Sequence, residues 1–137
     1  MVVETIVDAG PLVGWLNVSD QWHAWSSETL SRRRGVLHTT EIVLGEACHH
    51  LGGNTAMSHA LLDMVRHGAL MLHRLWPDHL RRTQELMMKY ERMDAGDASL
   101  VVLSELFPRA KVVTADMRDF KVYRRFEREQ LPLLMPG

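Results

Sequence analysis

With 137 residues, 46% of them hydrophobic, the chain is long enough to bury a real core and reads as one domain, 1–137, rather than several. Sixteen Lys and Arg against 17 Asp and Glu give a formal net charge of −1, which excludes binding to nucleic acid through overall charge; such a contact needs a local patch. The single cysteine, Cys48, excludes an internal disulfide and fits a reducing cytoplasm, and no apolar run reaches the roughly 18 residues of a membrane span. The first residues carry Glu4 and Asp8 and no basic stretch leading into a long apolar one, so they do not read as a signal peptide.

In chain order, residues 2–7 read as a strand. Pro11 suits an early helical position, and Leu12, Val13, Trp15 and Leu16 continue that helix. Ser19 and Asp20 are candidate caps for a second helix with Trp22, His23 and Trp25, ended at Arg32-Arg33-Arg34-Gly35. Residues 36–39 form a short strand. Thr40 caps a helix in which Ile42, Val43, Ala47 and Leu51 keep helical spacing, and Gly52-Gly53 stops it. Asn54 or Thr55 caps the next, with Met57, Leu61, Leu62 and Val65 on one side and Gly68 at its end.

Residues 70–75 alternate as a strand does. Pro77-Asp78 is expected to open a helix whose apolar positions are Leu80, Leu86, Met87 and Tyr90, leaving Arg81, Arg82, Glu85 and Lys89 for solvent. Asp94 to Asp97 introduces a helix through Leu100, Val101, Leu103 and Leu106, stopped by Pro108. Residues 111–114 read as a strand, a short helix or turn follows Met117, and 131–135 read as a final edge strand that tolerates Pro132. Strands alternating with helices predict an α/β fold: a mostly parallel central sheet flanked by helices. In such folds the site lies beyond the carboxyl ends of the strands, where strand order switches.

Four acids fall at that edge. Asp8 follows the first strand, Glu46 lies about two turns into the helix after the second, Asp97 is in the first turn of its helix, and Asp116 follows the strand at 111–114. Crowded carboxylates repel, and a hard divalent ion with oxygen ligands, Mg²⁺ or Mn²⁺, relieves that. Such ions serve phosphodiester chemistry.

The stretches "TIVDAGPLVGWLN", "TTEIVLGEACHHL", "MDAGDASLVVLSE" and "VVTADMRDF", in that order, resemble the four acidic motifs of PIN-domain nucleases, most of all the VapC-like toxin ribonucleases of bacterial type II toxin–antitoxin pairs. The resemblance spans nearly the whole chain. It implies a PIN-like fold and a metal-dependent endoribonuclease, with in-line attack of water on phosphorus leaving a 5′-phosphate and a 3′-hydroxyl. Asp8, Glu46, Asp97 and Asp116 would be the acidic quartet holding Mg²⁺ or Mn²⁺. Asp94, Thr114 and Asp119 would be auxiliary. It further implies an RNA substrate, a homodimer and a small antitoxin whose C-terminal segment blocks the acidic cleft.

Each residue also has a plainer reading. Asp8 can start a turn, and Asp94 is most economically a helix N-cap with Asp97 as its capping partner. Asp119 can pair with Arg118 or Lys121. Glu46-Ala-Cys-His49 has the spacing of a Glu-x-x-His metal pair, with His50 one place on, but no second such helix exists. Cys48 suits a small buried residue, and Trp15, Trp22, Trp25 and Trp76 suit core or dimer interface. Basic residues gather at Arg32 to Arg34 and again past Asp116, where Arg118, Lys121, Arg124 and Arg125 are candidates to guide an RNA backbone. Of the rival enzyme classes, a haloacid-dehalogenase-type phosphatase wants a second Asp two places after the first, where this chain has Gly10, and a receiver domain wants an acid pair at the first strand and a late catalytic lysine after a strand, neither of which is evident. A catalytically silent module that binds RNA or protein is the rival of another class.

Overall fold

Thr5, Ile6 and Val7 have no exposed surface at all, as expected of a strand covered on both faces. In the computed structural model, which describes residues 1–137, they form β1 (Thr5–Val7), the centre of a five-stranded sheet. The chain continues through α1 (Ala9–Leu16), α2 (His23–Ser31), β2 (Leu37–Thr40), α3 (Glu41–His50), α4 (Thr55–Arg66), β3 (Leu70–His73), α5 (Leu80–Lys89), α6 (Ala95–Leu106), β4 (Lys111–Val113), β5 (Arg124–Arg125), β6 (Glu129–Gln130) and β7 (Leu133–Leu134). The sheet order is β3-β2-β1-β4-β7, and each of its pairings is parallel. The chain fills one side of β1 with β2 and β3, then crosses to the other side with β4 and β7. The switch in strand order therefore falls between β1 and β4, and it is the carboxyl ends of these two strands that Asp8 and Asp116 follow.

The α/β architecture expected from the sequence is the one observed. Four strands are shorter than expected, 5–7 for 2–7, 70–73 for 70–75, 111–113 for 111–114 and 133–134 for 131–135, while β2 keeps four residues one position later than 36–39. Asp8 is the N-cap of α1, Thr40 of α3, Asn54 of α4 and Asp94 of α6, each accepting a backbone N–H with its side chain. The edge strand expected at the C-terminus is β7. Pro132 costs the ladder nothing, since its carbonyl accepts from Val112 N at 2.8 Å.

A core of 28 buried hydrophobic residues runs through the sheet and helices. α6 is its densest element, with residues 98–104 all buried. Its buried serines are satisfied: Ser99 Oγ pairs with Thr40 Oγ1 at 2.8 Å, and Ser104 accepts from Arg125. Trp15, Trp25 and Trp76 pack against this core, as does Cys48. Gly14 lets α2 approach α1, because a Cβ there would lie 2.5 Å from Ser26 Oγ.

Four local expectations are corrected. Asp20 does not cap α2; it accepts from Trp22 N in a turn, and the helix starts at His23 without a side-chain cap. Residues 76–79 form a turn, so α5 begins at Leu80 rather than at Pro77-Asp78. On α5 the buried positions are Thr83 and Leu86, while Leu80 and Met87 are exposed. Arg82 is drawn from solvent by Glu105 (2.8 Å) and Glu127 (2.7 Å). Finally, β5 and β6 make an antiparallel hairpin unforeseen in the sequence. Its turn places Phe126 and Glu127 at positive φ (48° and 68°) without the glycine or asparagine that usually signals one.

Candidate active site

The caps that end the strands also aim the acids. Asp8 turns one carboxylate oxygen to Ala9 N at 2.7 Å, capping α1, and receives the Thr114 hydroxyl on the other at 2.7 Å. Thr114 is fully buried and its oxygen also accepts from Asp116 N at 3.0 Å. One threonine thus ties the acid after β1 to the acid after β4. Asp116 Oδ1 in turn accepts from Asp119 N at 3.0 Å.

Asp94 caps α6 by accepting from Asp97 N at 2.8 Å. Asp97 does not return the favour, as a capping partner would. Its Oδ2 accepts the Tyr123 hydroxyl at 2.8 Å instead. Glu46, on α3, reaches the same place across Gly96, where a Cβ would stand 2.5 Å from Glu46 Oε2. The glycine of "MDAGDASL" is therefore a clearance for a carboxylate from another helix.

These side chains line one cleft of about 310 Å³. It holds the whole expected quartet, Asp8, Glu46, Asp97 and Asp116, together with Asp94 and Asp119. Its only bases are Arg92 and His50. Electrostatics follow from that crowding. Burial lifts Asp8 to about 6, against the pull of Thr114 and Ala9, with Glu46 and Asp116 adding repulsion. Asp97 is pushed up as well, by burial first and by Asp94 and Asp8 after it. Glu46 is raised by burial and then by Asp94. Burial and the Asp97 contact keep the Tyr123 hydroxyl protonated, so it remains a donor.

The donor set suits a hard divalent cation: carboxylate oxygens, no sulfur, and one histidine at the rim. No three of the acids converge tightly enough to encage an ion unaided.

The four basic residues expected to guide RNA divide. Arg118 and Lys121 are exposed and unpaired past Asp116, outside the cleft lining. Arg124 bends back onto the carbonyls of Lys121, Val122 and Tyr123. Arg125 is 5% exposed and bound to Ser104 and Glu129, so it is a core residue and not a surface guide for RNA. Asp119 pairs with neither Arg118 nor Lys121 but with Arg92 at 2.8 Å. His49 lies outside the cleft; His50 is at its rim, 3.9 Å from Glu46. Arg92, Tyr123 and Gly96 are the site residues that spacing alone did not single out. Arg92 and Tyr123 have no periodic signal, and each meets its acid across more than twenty residues of chain.

The chain matches no family model and no curated protein. Solved structures do resemble it. VapC20 of Mycobacterium tuberculosis, described as a sarcin-ricin-loop-cleaving toxin, superposes with a TM-score of 0.72 at 16% identity, covering 80% of this chain and 87% of that one. VapBC2 of Rickettsia felis, solved bound to a DNA fragment from its promoter, gives 0.65 at 16% identity, covering 98% of this chain and all of the matched one. The likeness carried by the four sequence motifs thus extends to the fold, which is the PIN-like fold of VapC toxins.

Proposed function

We propose that the chain is a divalent-cation-dependent endoribonuclease, the toxin of a toxin–antitoxin pair. The observation that carries this reading is the meeting of Asp8, Glu46, Asp97 and Asp116 in one cleft at the switch point of a VapC-like sheet. Asp8, Asp97 and Asp116, with Glu46, would hold Mg²⁺ or Mn²⁺. When bound, the ion offsets the negative charge that develops on a phosphodiester in the transition state.

The protein's own groups have separable tasks. Thr114 and Ala9 fix both oxygens of Asp8, so that acid is pre-oriented. Tyr123 does the same for one oxygen of Asp97. Glu46 has no such restraint, sits on a helix at the cleft's side and is raised above an ordinary glutamate. It is suited to accept a proton from the attacking water. Arg92 is the one guanidinium at the cleft and, released from Asp119, is placed to meet a phosphate oxygen.

The structured loop cut by VapC20 suggests a structured RNA as the first substrate to try, and the VapBC2 assembly suggests an antitoxin partner. A homodimer in a reducing cytoplasm completes the reading. No helix is long and apolar enough to cross a membrane.

The test is cleavage of a structured RNA panel with Mn²⁺ or Mg²⁺. The expected products carry 5′-phosphate and 3′-hydroxyl ends, and excess EDTA and Asp8→Asn each stop the reaction. Cleavage undiminished in EDTA, or an Asp8→Asn variant cutting at the wild-type rate, overturns the reading. RNA bound but never cut points to a silent binding module.

A further inference from the structure

A larger cavity, of about 800 Å³, opens at the far edge of the sheet, where the strands begin. Glu4 precedes β1, Arg32 to Arg34 precede β2, and Arg109 and Lys111 lead into β4. Five cations, Arg32, Arg33, Arg34, Arg109 and Lys111, thus face one acid, Glu4, on a chain whose net charge is −1. Leu106 and Phe107 supply an apolar wall.

Two of the cations are already engaged. Arg32 pairs with Glu28 at 3.0 Å, and Arg33 donates to Thr5 Oγ1 at 2.9 Å and to the Glu4 carbonyl. Arg34, Arg109 and Lys111 are exposed and have no ion-pair or side-chain hydrogen-bond partner. Helix C-termini attract cations, and α2 and α6 both end here. That accounts for Arg32, the C-cap of α2, but not for three free charges around a cavity.

We propose that this basic cavity binds the phosphate backbone of RNA, away from the acidic cleft. The proposal rests on the ribonuclease reading for its choice of polyanion. An RNA brought to six carboxylates is repelled by them, so its affinity must come from cations elsewhere. The acidic end offers only Arg118 and Lys121 as free cations, outside the cleft lining, because Arg92 is paired with Asp119, and Arg124 and Arg125 are turned onto internal acceptors. Four of the five cavity cations are arginines, whose planar fork matches a phosphate in two-point contact. Four residues of extended chain separate Glu4 from Asp8, about 13 Å. A folded RNA is large enough to touch both edges, so the basic cavity would hold a flanking segment while the cleft takes the cut site.

The experiment measures binding of an RNA hairpin in EDTA over a range of salt, where nothing is cut and the acids repel the ligand. Arg34→Ala combined with Arg109→Ala should lower affinity at low salt by roughly tenfold or more and reduce the salt slope by about 1.4–1.8, two phosphate contacts' worth. Arg34→Lys with Arg109→Lys, which keeps the charge, should restore most of the slope. A wild-type slope in the alanine pair, with the fold intact by thermal melting, overturns the proposal. So does polyglutamate competing as well as RNA, which would make the cavity a seat for an acidic protein segment. A wild-type protein that never cleaves RNA, yet loses binding in the alanine pair, sinks the ribonuclease reading and leaves the cavity standing.

Discussion

Thr114 donates its hydroxyl to Asp8 at 2.7 Å across 106 positions of sequence, and the same oxygen accepts from the backbone of Asp116. It therefore fixes the spacing between the acids after the two central strands. Thr114→Val keeps the shape but strands a carboxylate oxygen and a backbone N–H. The expected cost is about 1–3 kcal/mol in denaturant unfolding, with cleavage falling further than stability does. Thr114→Ser keeps the hydroxyl and should recover most of both. Equal cleavage by the valine and serine variants would show that the hydroxyl does not order the site.

Gly96 separates the site from the fold in the opposite direction. It lies in the first turn of α6, where alanine is the better helix former by up to about 1 kcal/mol. A Cβ there collides only with the mobile end of Glu46, 2.5 Å away, and crowds Asp94 Oδ1 at 3.4 Å. Gly96→Ala should melt at or above the wild-type temperature while cleavage drops by tenfold or more, because the Glu46 carboxylate is pushed from the cleft. A variant that loses stability instead would mean that α6 itself has to shift.

What could be read from the sequence divides by range. Asp8, Thr40, Asn54 and Asp94 were legible as element ends because capping is a local matter of one side chain and the next turn. The parallel order followed from alternation of strand and helix, and with it the edge at which Asp8, Glu46, Asp97 and Asp116 gather. Asp97 taking a hydrogen bond from Tyr123, and Asp119 one from Arg92, could not be read, since both depend on how distant segments pack. Arg125 shows the same limit from the other side. A basic residue in a basic run is normally solvated, and only the docking of β5 against α6 turns this one inward onto Ser104.

That difference within one run is measurable. Arg125→Ala should destabilise the fold by about 2–4 kcal/mol, because it empties a buried site and leaves the buried Ser104 hydroxyl and carbonyl without the donor that satisfies them. Arg118→Ala with Lys121→Ala touches no ion pair and should leave the melting temperature within a degree or two, while weakening RNA binding and flattening its salt slope by up to about two contacts. If the Arg118/Lys121 pair leaves the slope unchanged, those residues are a solvated face and nothing more.

The last prediction concerns pH in the absence of metal. Burial lifts the folded-state Asp8 to about 6 from an unfolded value near 3.8. Between those values the folded chain holds a proton that the unfolded chain has released. Unfolding free energy must then fall as pH rises through this window, by at most about 1.4 kcal/mol per pH unit for one proton. Asp97 and Glu46, raised for the same reason, act in the same direction. His38 and His73 act against them. A hydrogen bond joins His38 Nδ1 and His73 Nε2 at 2.9 Å, and burial lowers both, so their protonation opposes folding and their contribution rises with pH up to about 6.5. A raw stability curve therefore mixes two slopes, and the informative quantity is the difference between wild type and Asp8→Asn at each pH. Asparagine keeps the cap to Ala9 and cannot titrate. Relative to it, wild type should lose stability steadily from about pH 4 to about pH 6.5. Added Mg²⁺ should remove the loss, since the ion binds the deprotonated acids that repel one another in its absence. A difference that stays flat across the window, with or without Mg²⁺, would show that Asp8 titrates as an ordinary surface acid and that its crowding with Glu46 and Asp116 is not felt.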